Sequence, residues 1–275
     1  MPLYIVATPI GNLEDMTFRA VRILQEADWI AAEDTRHTGK LLQRFQITTP
    51  QISYHAHNRT SRLPDLLDRL QDGKTIALVS DAGMPGISDP GYELVSACVE
   101  AGILVIPIPG ASAVITALSA AGLPTDRFVF EGFLPAKGTE RRDRLESLAS
   151  EPRTLVFYEA PHRVRQTLAD LLNTVGGDRR IVLARELTKL HEEFWRGSVA
   201  EAIAHYTSRD PQGEFTILVA GAELTLPLLS ESALKAELGT LINQGLSRSQ
   251  ASRQLAQQTN LPRREIYQIA LSIAE

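Results

Sequence analysis

Short apolar runs alternate with amphipathic segments along the first half of the chain. FRAVRILQEA and YELVSACVEAG carry apolar residues at helical spacing, whereas four other runs have the length and composition of buried strands: LYIVAT, WIAAE, KTIALVS and ILVIPIP. This alternation is typical of βα units around a largely parallel sheet. The pattern ends in PGASAVITALSAAGLP, a small-residue helix closed by Gly122 and Pro124. We predict a first α/β domain over residues 1–123.

A second series of strands and helices follows, and then the strand signal stops. A second α/β domain with mixed strands over residues 124–227 is predicted by RFVFEGFLP, TLVFYEA, RIVLAREL, EFWRGSV and EFTILVAG. Residues 228–275 show helical spacing only, and breaks at residues 245–246 and 260–262 divide them into three short helices. The predicted fold class is therefore α/β, with two α/β domains and a small C-terminal all-helical unit.

The composition narrows the classes of protein that fit this pattern. The 275 residues have a net charge of −5 and one cysteine, which excludes intramolecular disulfides and cysteine-rich metal centres. Cys98 lies in a helical pattern and is predicted to be a small buried hydrophobe. No apolar stretch reaches the length of a membrane span, and the first residues lack the basic start of a signal peptide, so we expect a cytoplasmic protein. The net charge gives no global sign of nucleic-acid binding, although local basic patches are compatible with it.

The loop SDAGMPGISDPG, residues 80–91, follows a predicted strand and is rich in glycine and proline. Its glycines allow backbone angles denied to other residues and let a ligand approach the main chain. A rigid connector in which Asp81 caps a turn is the alternative. The loop holds no lysine or arginine, and the chain lacks both G-x-G-x-x-G after its first strand and G-x-x-x-x-G-K-[ST]. A ligand held by main-chain groups fits better than a polyphosphate.

Three more unusual loops follow predicted strands: TPIGNLED, AAEDTRHTGK and IPGASA. Ligands of open α/β sheets bind beyond the carboxyl ends of the strands, so these loops are candidates for one site. In IPGASA, Ser112 either caps the following helix or faces a ligand, for which Ala113 leaves room. In AAEDTRHTGK, the acidic and basic residues form either a functional cluster or an internal structural pair.

Seven motifs in order carry a family resemblance over residues 3–221. They are TPIGNLEDMT, AAEDTRHTGKLL, SDAGMPGISDPG, PIPGASAVITALSAAGL, FEGFLPAKGTERR, FYEAPHRV and ARELTKLHEEFWRG. Together they resemble the tetrapyrrole-methylase superfamily of S-adenosylmethionine enzymes, and within it the branch that methylates small-subunit ribosomal RNA. The C-terminal helices are similar to the helix-turn-helix-like tail of that branch.

The resemblance implies two α/β domains with S-adenosylmethionine in the cleft between them, and a homodimer. It implies methylation of the ribose 2′-hydroxyl of a decoding-centre cytidine in small ribosomal subunit RNA. The residues that it places around the donor are Ile10, Asp81, Ala82, Gly83, Met84, Ser112, Ala113, Tyr158, Leu187 and Thr188.

A ribose hydroxyl is a poor nucleophile, so a base or a group that stabilises the emerging alkoxide should accelerate the transfer. We place this catalytic function in Glu33, Asp34 and Arg36. The choice of base stays open, because two other segments offer ionisable groups: Glu159, His162 and Arg163, and Lys189, Glu192 and Glu193. The i, i+2 spacing of His55 and His57 would put both on one strand face. No metal is expected, since they have no evident third ligand.

Two other functions remain alternatives. A methylase acting on a tetrapyrrole, such as a cobalamin or siroheme precursor, would share the fold and the donor, and a non-catalytic RNA-binding module would explain the tail. Against the first stand the EDTR motif, the pair Arg141–Arg142 and the tail itself. The tail is predicted to bury Ala251, Leu255, Ala256, Leu261 and Ile266 and to expose Arg248, Arg253, Arg263 and Arg264. Those arginines are either a phosphate clamp or a solvated face of a helical appendage or dimer prop.

Overall fold

The computed structural model describes residues 1–223, 230–259 and 261–273, and the chain forms two compact units, residues 1–222 and 223–275. The predicted boundary between residues 227 and 228 lies outside the described residues. The predicted boundary between residues 123 and 124 lies within the first unit and stays a prediction. No helix in the described ranges is long and apolar enough to cross a membrane.

The first sheet has five parallel strands in the order β3-β2-β4-β1-β5. The strands are β1 (Leu3–Val6), β2 (Trp29–Ala32), β3 (Gln51–Ser53), β4 (Ile76–Val79) and β5 (Val105–Ile108). The helices that connect and follow them are α1 (Phe18–Glu26), α2 (Thr35–Arg44), α3 (Arg59–Gln71), α4 (Tyr92–Glu100) and α5 (Ala113–Ala121). The predicted parallel α/β organisation of this region is confirmed.

Burial on both faces explains why the central strands are almost wholly apolar. All four residues of β4 are buried, because α1 and α2 cover one face of the sheet and α3 and α4 cover the other. Cys98 of α4 is buried in the second of these cores, and burial raises the pKa of its thiol to about 11. It is therefore the small hydrophobe that the sequence predicts.

The second sheet is mixed, as predicted, with the strand order β6-β7-β10-β8-β9. Only β6 and β7 run parallel. Its elements are β6 (Phe128–Phe133), α6 (Gly138–Leu148), β7 (Thr154–Glu159), α7 (Val164–Val175), β8 (Arg180–Arg185), β9 (Glu193–Ser198), α8 (Val199–Thr207) and β10 (Phe215–Val219). Helices α6, α7 and α8 pack on one face.

Helix α5 covers the other face of the second sheet, although it follows the last strand of the first. Its Val114, Ala117 and Leu118 are buried with Val156 of β7 and Val182 of β8. This apolar contact joins the two sheets into one compact unit and sets the carboxyl edge of the first sheet against the second.

The C-terminal unit is helical, as predicted, and consists of α9 (Glu231–Asn243), α10 (Arg248–Gln258) and α11 (Arg263–Leu271). Ser247 caps α10 and forms a reciprocal capping box with Gln250. The predicted inner face is confirmed: Ala251, Leu255 and Ile266 are buried, and Ala256 and Leu261 pack against them.

Candidate active site

A cavity of about 390 Å³ lies between the carboxyl edge of the first sheet and one edge of the second. The first sheet contributes residues after β1, β2, β4 and β5: Ile10, Glu33, Asp81, Ala82, Gly83, Met84, Ile87, Ser88, Asp89, Ser112 and Ala113. The second contributes Phe133, Tyr158, Glu159, Ala160, Pro161, Ala184, Leu187, Glu214, Phe215 and Thr216. The position agrees with the rule that ligands of open α/β sheets bind at this edge, and the volume suits a small organic ligand.

The glycines of the loop after β4 are needed for its path along the cavity. Gly83 and Gly86 have φ of 77° and 82°, which side chains disfavour. Gly83 also pairs with the loop after β1, because its N–H donates to the Thr8 carbonyl at 3.0 Å and its carbonyl accepts from the Thr8 N–H at 2.9 Å. The loop is thus both held in place and open to a ligand at its main chain.

Small residues line the cavity where the loop after β5 leads into α5. Ser112 precedes α5 and occupies its N-cap position, but its side chain makes no capping hydrogen bond and lines the cavity with Ala113. The connection before it is tightly packed, since a Cβ at Gly110 would lie 2.8 Å from Cβ of Ala7. These contacts favour the interpretation in which Ser112 faces a ligand.

The carboxylates of Glu33, Asp81 and Asp89 give the cavity an acidic wall. The Asp81 N–H donates to Oε2 of Glu33 at 3.4 Å, and Oδ1 of Asp81 accepts from the Asp34 N–H at 3.1 Å, so the loops after β2 and β4 are joined here. Burial raises the pKa of Glu33. Burial, and then the nearby charge of Glu33, raises the pKa of Asp89 to about 6. A wall of this kind favours a cationic or amino-bearing ligand over an anion.

Aromatic side chains close the cavity on the second sheet. The Tyr158 ring lies 5.0 Å from the ring of Phe130 and 5.6 Å from that of Phe133. Its hydroxyl meets the backbone of Val114 at the start of α5, and burial raises the pKa of the phenol. Tyr158 therefore presents an apolar face to the cavity.

The structure brings together the residues predicted to bind the donor, with one exception. All of them line the cavity except Thr188. The Thr188 hydroxyl instead accepts a hydrogen bond from the Asn12 N–H at 3.1 Å. A Cβ on Gly11 would lie 2.9 Å from the same hydroxyl, so Thr188 packs against the loop after β1. The donor-binding roles themselves stay predictions.

The proposed catalytic cluster is divided by the structure, because only Glu33 lines the cavity. Asp34 caps α2 and accepts from the Arg36 N–H at 2.8 Å, and its carboxylate also binds the Arg36 guanidinium at 2.9 Å. This guanidinium and the backbone bonds lower the pKa of Asp34 far below its usual range. The Arg36 side chain is 88% exposed. The geometry is that of the internal pair, and catalytic roles for Asp34 and Arg36 remain untested.

The other carboxylates considered as bases are engaged in structural contacts. Glu159 lines the cavity, but it accepts from the Thr167 hydroxyl at 2.5 Å and binds Arg163 at 3.2 Å. Glu192 accepts from the Thr188 N–H at 2.6 Å, and Glu193 binds Arg185 at 3.2 Å. Glu33 is therefore the carboxylate of the sequence candidates best placed to accept a proton in the cavity.

Arg141, which the sequence offers together with Arg142 as an argument against a tetrapyrrole substrate, is buried. Its side chain is 6% exposed and binds Asp170 at 2.8 Å, the Thr167 hydroxyl at 2.8 Å and the Pro135 carbonyl at 2.9 Å. The guanidinium is used to hold α6, α7 and the loop between β6 and α6 together. Of this pair, Arg142 is exposed, whereas Arg141 is not available to a ligand at the surface.

His55 and His57 also differ from the expectation of a shared strand face, since both follow β3 in the turn before α3. Their rings lie 6.0 Å apart. Within the described residues, no group of three or more potential ligands is arranged to hold a metal ion.

Sequence reasoning missed several lining residues, among them Asp89, Phe133 and Thr216. Asp89 belongs to the glycine-rich loop after β4, and its carboxylate is a signal visible in the sequence. Thr216 lies inside an apolar strand pattern, which gives no hint of the cavity.

Comparisons with known proteins agree with this geometry. The family model of tetrapyrrole (corrin/porphyrin) methylases matches residues 2–203. The ribosomal RNA small subunit methyltransferase I of Synechocystis sp. is 62% identical over 98% of this chain and 98% of its own. The protein of that name from Halalkalibacterium halodurans is 51% identical over 97% and 93% of the two chains.

A solved structure shows the same fold at lower identity. The uroporphyrin-III C-methyltransferase of Thermus thermophilus, complexed with S-adenosyl homocysteine, is 18% identical and superposes with a TM-score of 0.56 over 79% of this chain and 97% of its own. The family match covers most of the chain, and the two relatives named above align over nearly its full length. The chain therefore belongs to the tetrapyrrole (corrin/porphyrin) methylase family and, within it, to the group of small-subunit ribosomal RNA methyltransferases I.

Proposed function

We propose that this chain transfers a methyl group from S-adenosylmethionine to small-subunit ribosomal RNA. The observation that carries the proposal is the cavity at the carboxyl edge of the parallel sheet, which combines open main chain, small side chains and an acidic wall. These features fit the donor, which carries an amino group and a cationic sulfonium. The high identity to curated ribosomal RNA methyltransferases supports RNA as the acceptor.

The residues of the cavity divide into those that hold the donor and those that act on the acceptor. S-adenosylmethionine, when bound, supplies an electrophilic methyl group. The main chain of Gly83 is bound to Thr8, so its neighbours in the loop after β4 offer the main-chain hydrogen bonds. Asp81 and Asp89 offer negative charge, and Tyr158 offers an apolar wall. Glu33 accepts the proton of the attacking hydroxyl, because burial raises the pKa of its carboxyl and brings its basicity closer to what that step requires.

The acceptor atom in this proposal is the ribose 2′-hydroxyl of a cytidine in the decoding centre. It follows from the family branch that the sequence motifs indicate. The test is to incubate the chain and isotope-labelled donor with small ribosomal subunits, with free ribosomal RNA and with tetrapyrrole precursors in parallel. Label that enters only small subunits, and maps to a 2′-O-methylcytidine by mass spectrometry, supports the proposal. Label that enters the tetrapyrrole instead contradicts it.

We also propose that the chain acts as a homodimer, as the family resemblance implies, and that it acts in the cytoplasm, where its ribosomal RNA substrate would place it. Analytical ultracentrifugation of the purified chain tests the first part, and a monomer at micromolar concentration would contradict it.

Two substitutions in the loop after β4 should weaken donor binding. Asp81→Ala removes a carboxylate of the acidic wall, and Gly83→Val places a β-branched residue at a φ of 77° that it adopts only with strain. We expect each to lower S-adenosylmethionine affinity by about tenfold or more in calorimetry, equivalent to about 1.4 kcal/mol. Circular dichroism should show an intact fold. Unchanged affinity in both variants would refute the assignment of the donor site.

The C-terminal unit is proposed to help seat the ribosomal substrate. Arg253, Arg263 and Arg264 are exposed, whereas Arg248 is half-buried and donates to the Ile273 carbonyl at 3.0 Å. Three of the four arginines that the sequence predicts to be exposed are therefore exposed, and the prediction is wrong for Arg248. Arg263 donates to the Ser249 hydroxyl at 2.9 Å, so its position is partly fixed.

Shortening the chain to end near Ser230 should separate donor binding from substrate binding, because residues 1–222 form a compact unit. We expect normal S-adenosylmethionine affinity, poor methylation of small subunits and a salt slope of RNA binding reduced by roughly one per lost phosphate contact. The full chain with Arg253→Gln and Arg264→Gln isolates the effect of charge. Full methylation by the shortened chain across a salt titration would make the unit a structural appendage.

A further inference from the structure

Phe133 is an exposed aromatic residue at the mouth of the cavity. It ends β6, and 53% of it is exposed to solvent. It lines the cavity and also a second, more open groove of about 800 Å³ formed by β6, α6 and the loop between them. The side chain therefore stands where the donor cavity and an adjacent groove meet.

A β-bulge turns Phe133 toward the cavity. Phe130 pairs with Val156 of β7, but Gly132 pairs with the next residue, Phe157, so Glu131 is an extra residue in β6. In a regular strand, Phe133 would lie on the opposite face from Phe130, because side chains alternate. The extra residue brings Phe133 back to the same face as Phe130, and both rings contact Tyr158. Bulges next to active sites commonly redirect a side chain in this way.

The groove beside Phe133 is unsuited to a phosphate group. Its arginine, Arg144, is bound to Glu131 at 2.5 Å, and that carboxylate is 1% exposed. The other charged residues of its lining, Glu140 and Asp143, are acidic. An uncharged, flat group is a better occupant, and amino groups on its edge would meet carboxylates that accept hydrogen bonds.

We propose that Phe133 stacks on the base of the acceptor nucleotide and holds it in this groove while the ribose faces the donor cavity. The inference rests on the proposed function and specifies how its RNA substrate is positioned. Proteins that bind unpaired RNA stack its bases on aromatic side chains, and this tolerates any base identity. Enzymes that take a nucleotide out of its stack hold the extruded base against aromatic or apolar side chains, and the same support would serve an enzyme that acts on the ribose.

The test compares Phe133→Ala, Phe133→Leu and Phe133→Tyr with the unaltered chain. We expect Ala and Leu to lower kcat/KM for small subunits by roughly ten- to a hundredfold, because base stacking on an aromatic ring is lost. Tyr should retain activity within about threefold, since it keeps the stacking surface. The affinity for S-adenosylmethionine, measured by calorimetry, should change much less than kcat/KM. Phe18→Ala is the matched control, because Phe18 is 97% exposed and lines neither cavity.

Four outcomes would overturn the inference. Full activity of the Ala and Leu variants would show that the ring is dispensable, and full activity of Leu alone would show that apolar area suffices without stacking. Equal losses of donor affinity and kcat/KM would assign Phe133 to the donor pocket. An equal loss in Phe18→Ala would show a nonspecific effect of removing surface aromatics. A different result, no methylation of small subunits by the unaltered chain, would refute the proposed function itself, whereas the four outcomes above leave that function standing and overturn the inference alone.

Discussion

Replacing Glu33 with glutamine should lower the rate of methyl transfer to small ribosomal subunits by about a hundred- to ten-thousand-fold, the usual contribution of a general base. Glutamine keeps the size of the side chain and an oxygen that can accept from the Asp81 N–H, so the loops after β2 and β4 should remain joined. The affinity for S-adenosylmethionine should fall far less than the rate. Single-turnover kinetics with saturating donor, together with calorimetry of donor binding, measure the two effects separately.

Asp34→Asn provides the matched control for Glu33→Gln. The two carboxylates are adjacent in sequence, but Asp34 caps α2 and does not line the cavity. Asparagine caps helices as well as aspartate, so we expect a change in rate of less than about tenfold. A normal rate in Glu33→Gln, or equal losses in both variants, would place proton removal elsewhere.

The acid limb of the pH–rate profile should belong to the same carboxylate. Burial is the largest cause of the raised pKa of Glu33, followed by a backbone hydrogen bond from Asp81 that lowers it; the charges of Asp81 and Asp34 raise it and that of His55 lowers it. A base must be ionised to accept a proton, so activity should fall as the pH drops through this raised pKa. Asp89, whose pKa is about 6, is a second group that titrates in the cavity, and Asp89→Asn distinguishes its contribution.

The fold and the location of the site followed from local signals, while the roles of single side chains depended on contacts between distant residues. The buried strands, the helix caps and the glycine-rich loop are visible in short windows, because period, capping and positive φ are local properties. The carboxyl ends of parallel strands share an edge, so loops far apart in sequence were expected to meet. The lining residues Ile10, Asp81 and Ser112 confirm that expectation of proximity.

Arg141 and Phe133 show why the rest could not be predicted. Arginine is rarely buried, and nothing near Arg141 in sequence reveals Asp170 and Thr167 on α7 as its partners. The direction of Phe133 depends on a one-residue bulge that only the pairing of β6 with β7 defines. Likewise, α5 closes the first strand pattern, yet its apolar face packs on the second sheet.

Asp89→Asn should make the ligand-free chain more stable at neutral pH. Burial, and then the charge of Glu33, raises the pKa of Asp89 from 3.8 to about 6. The folded chain therefore binds a proton that the unfolded chain releases between about pH 4 and 6, so the stability associated with protonated Asp89 is lost as the pH rises through that window. At about 1.4 kcal/mol per pKa unit, with a discount for solvent screening of a half-buried group, asparagine should increase the free energy of unfolding at pH 7.5 by roughly 1–2 kcal/mol.

The same substitution should weaken donor binding, because the ionised Asp89 is part of the acidic wall that favours a cationic ligand. In the unaltered chain, S-adenosylmethionine affinity should rise as the pH increases through about 6, and in Asp89→Asn this rise should be largely lost. Thermal unfolding without ligand and calorimetry with the donor, both at pH 5 and pH 7.5, measure the two effects. Asp68→Asn is the control, since Asp68 is exposed on α3 and remote from the lining of the cavity. An Asp89→Asn chain that is less stable than the unaltered one at pH 7.5, or that keeps the full pH dependence of donor affinity, would show that the Asp89 carboxylate is not held ionised in the cavity for the donor.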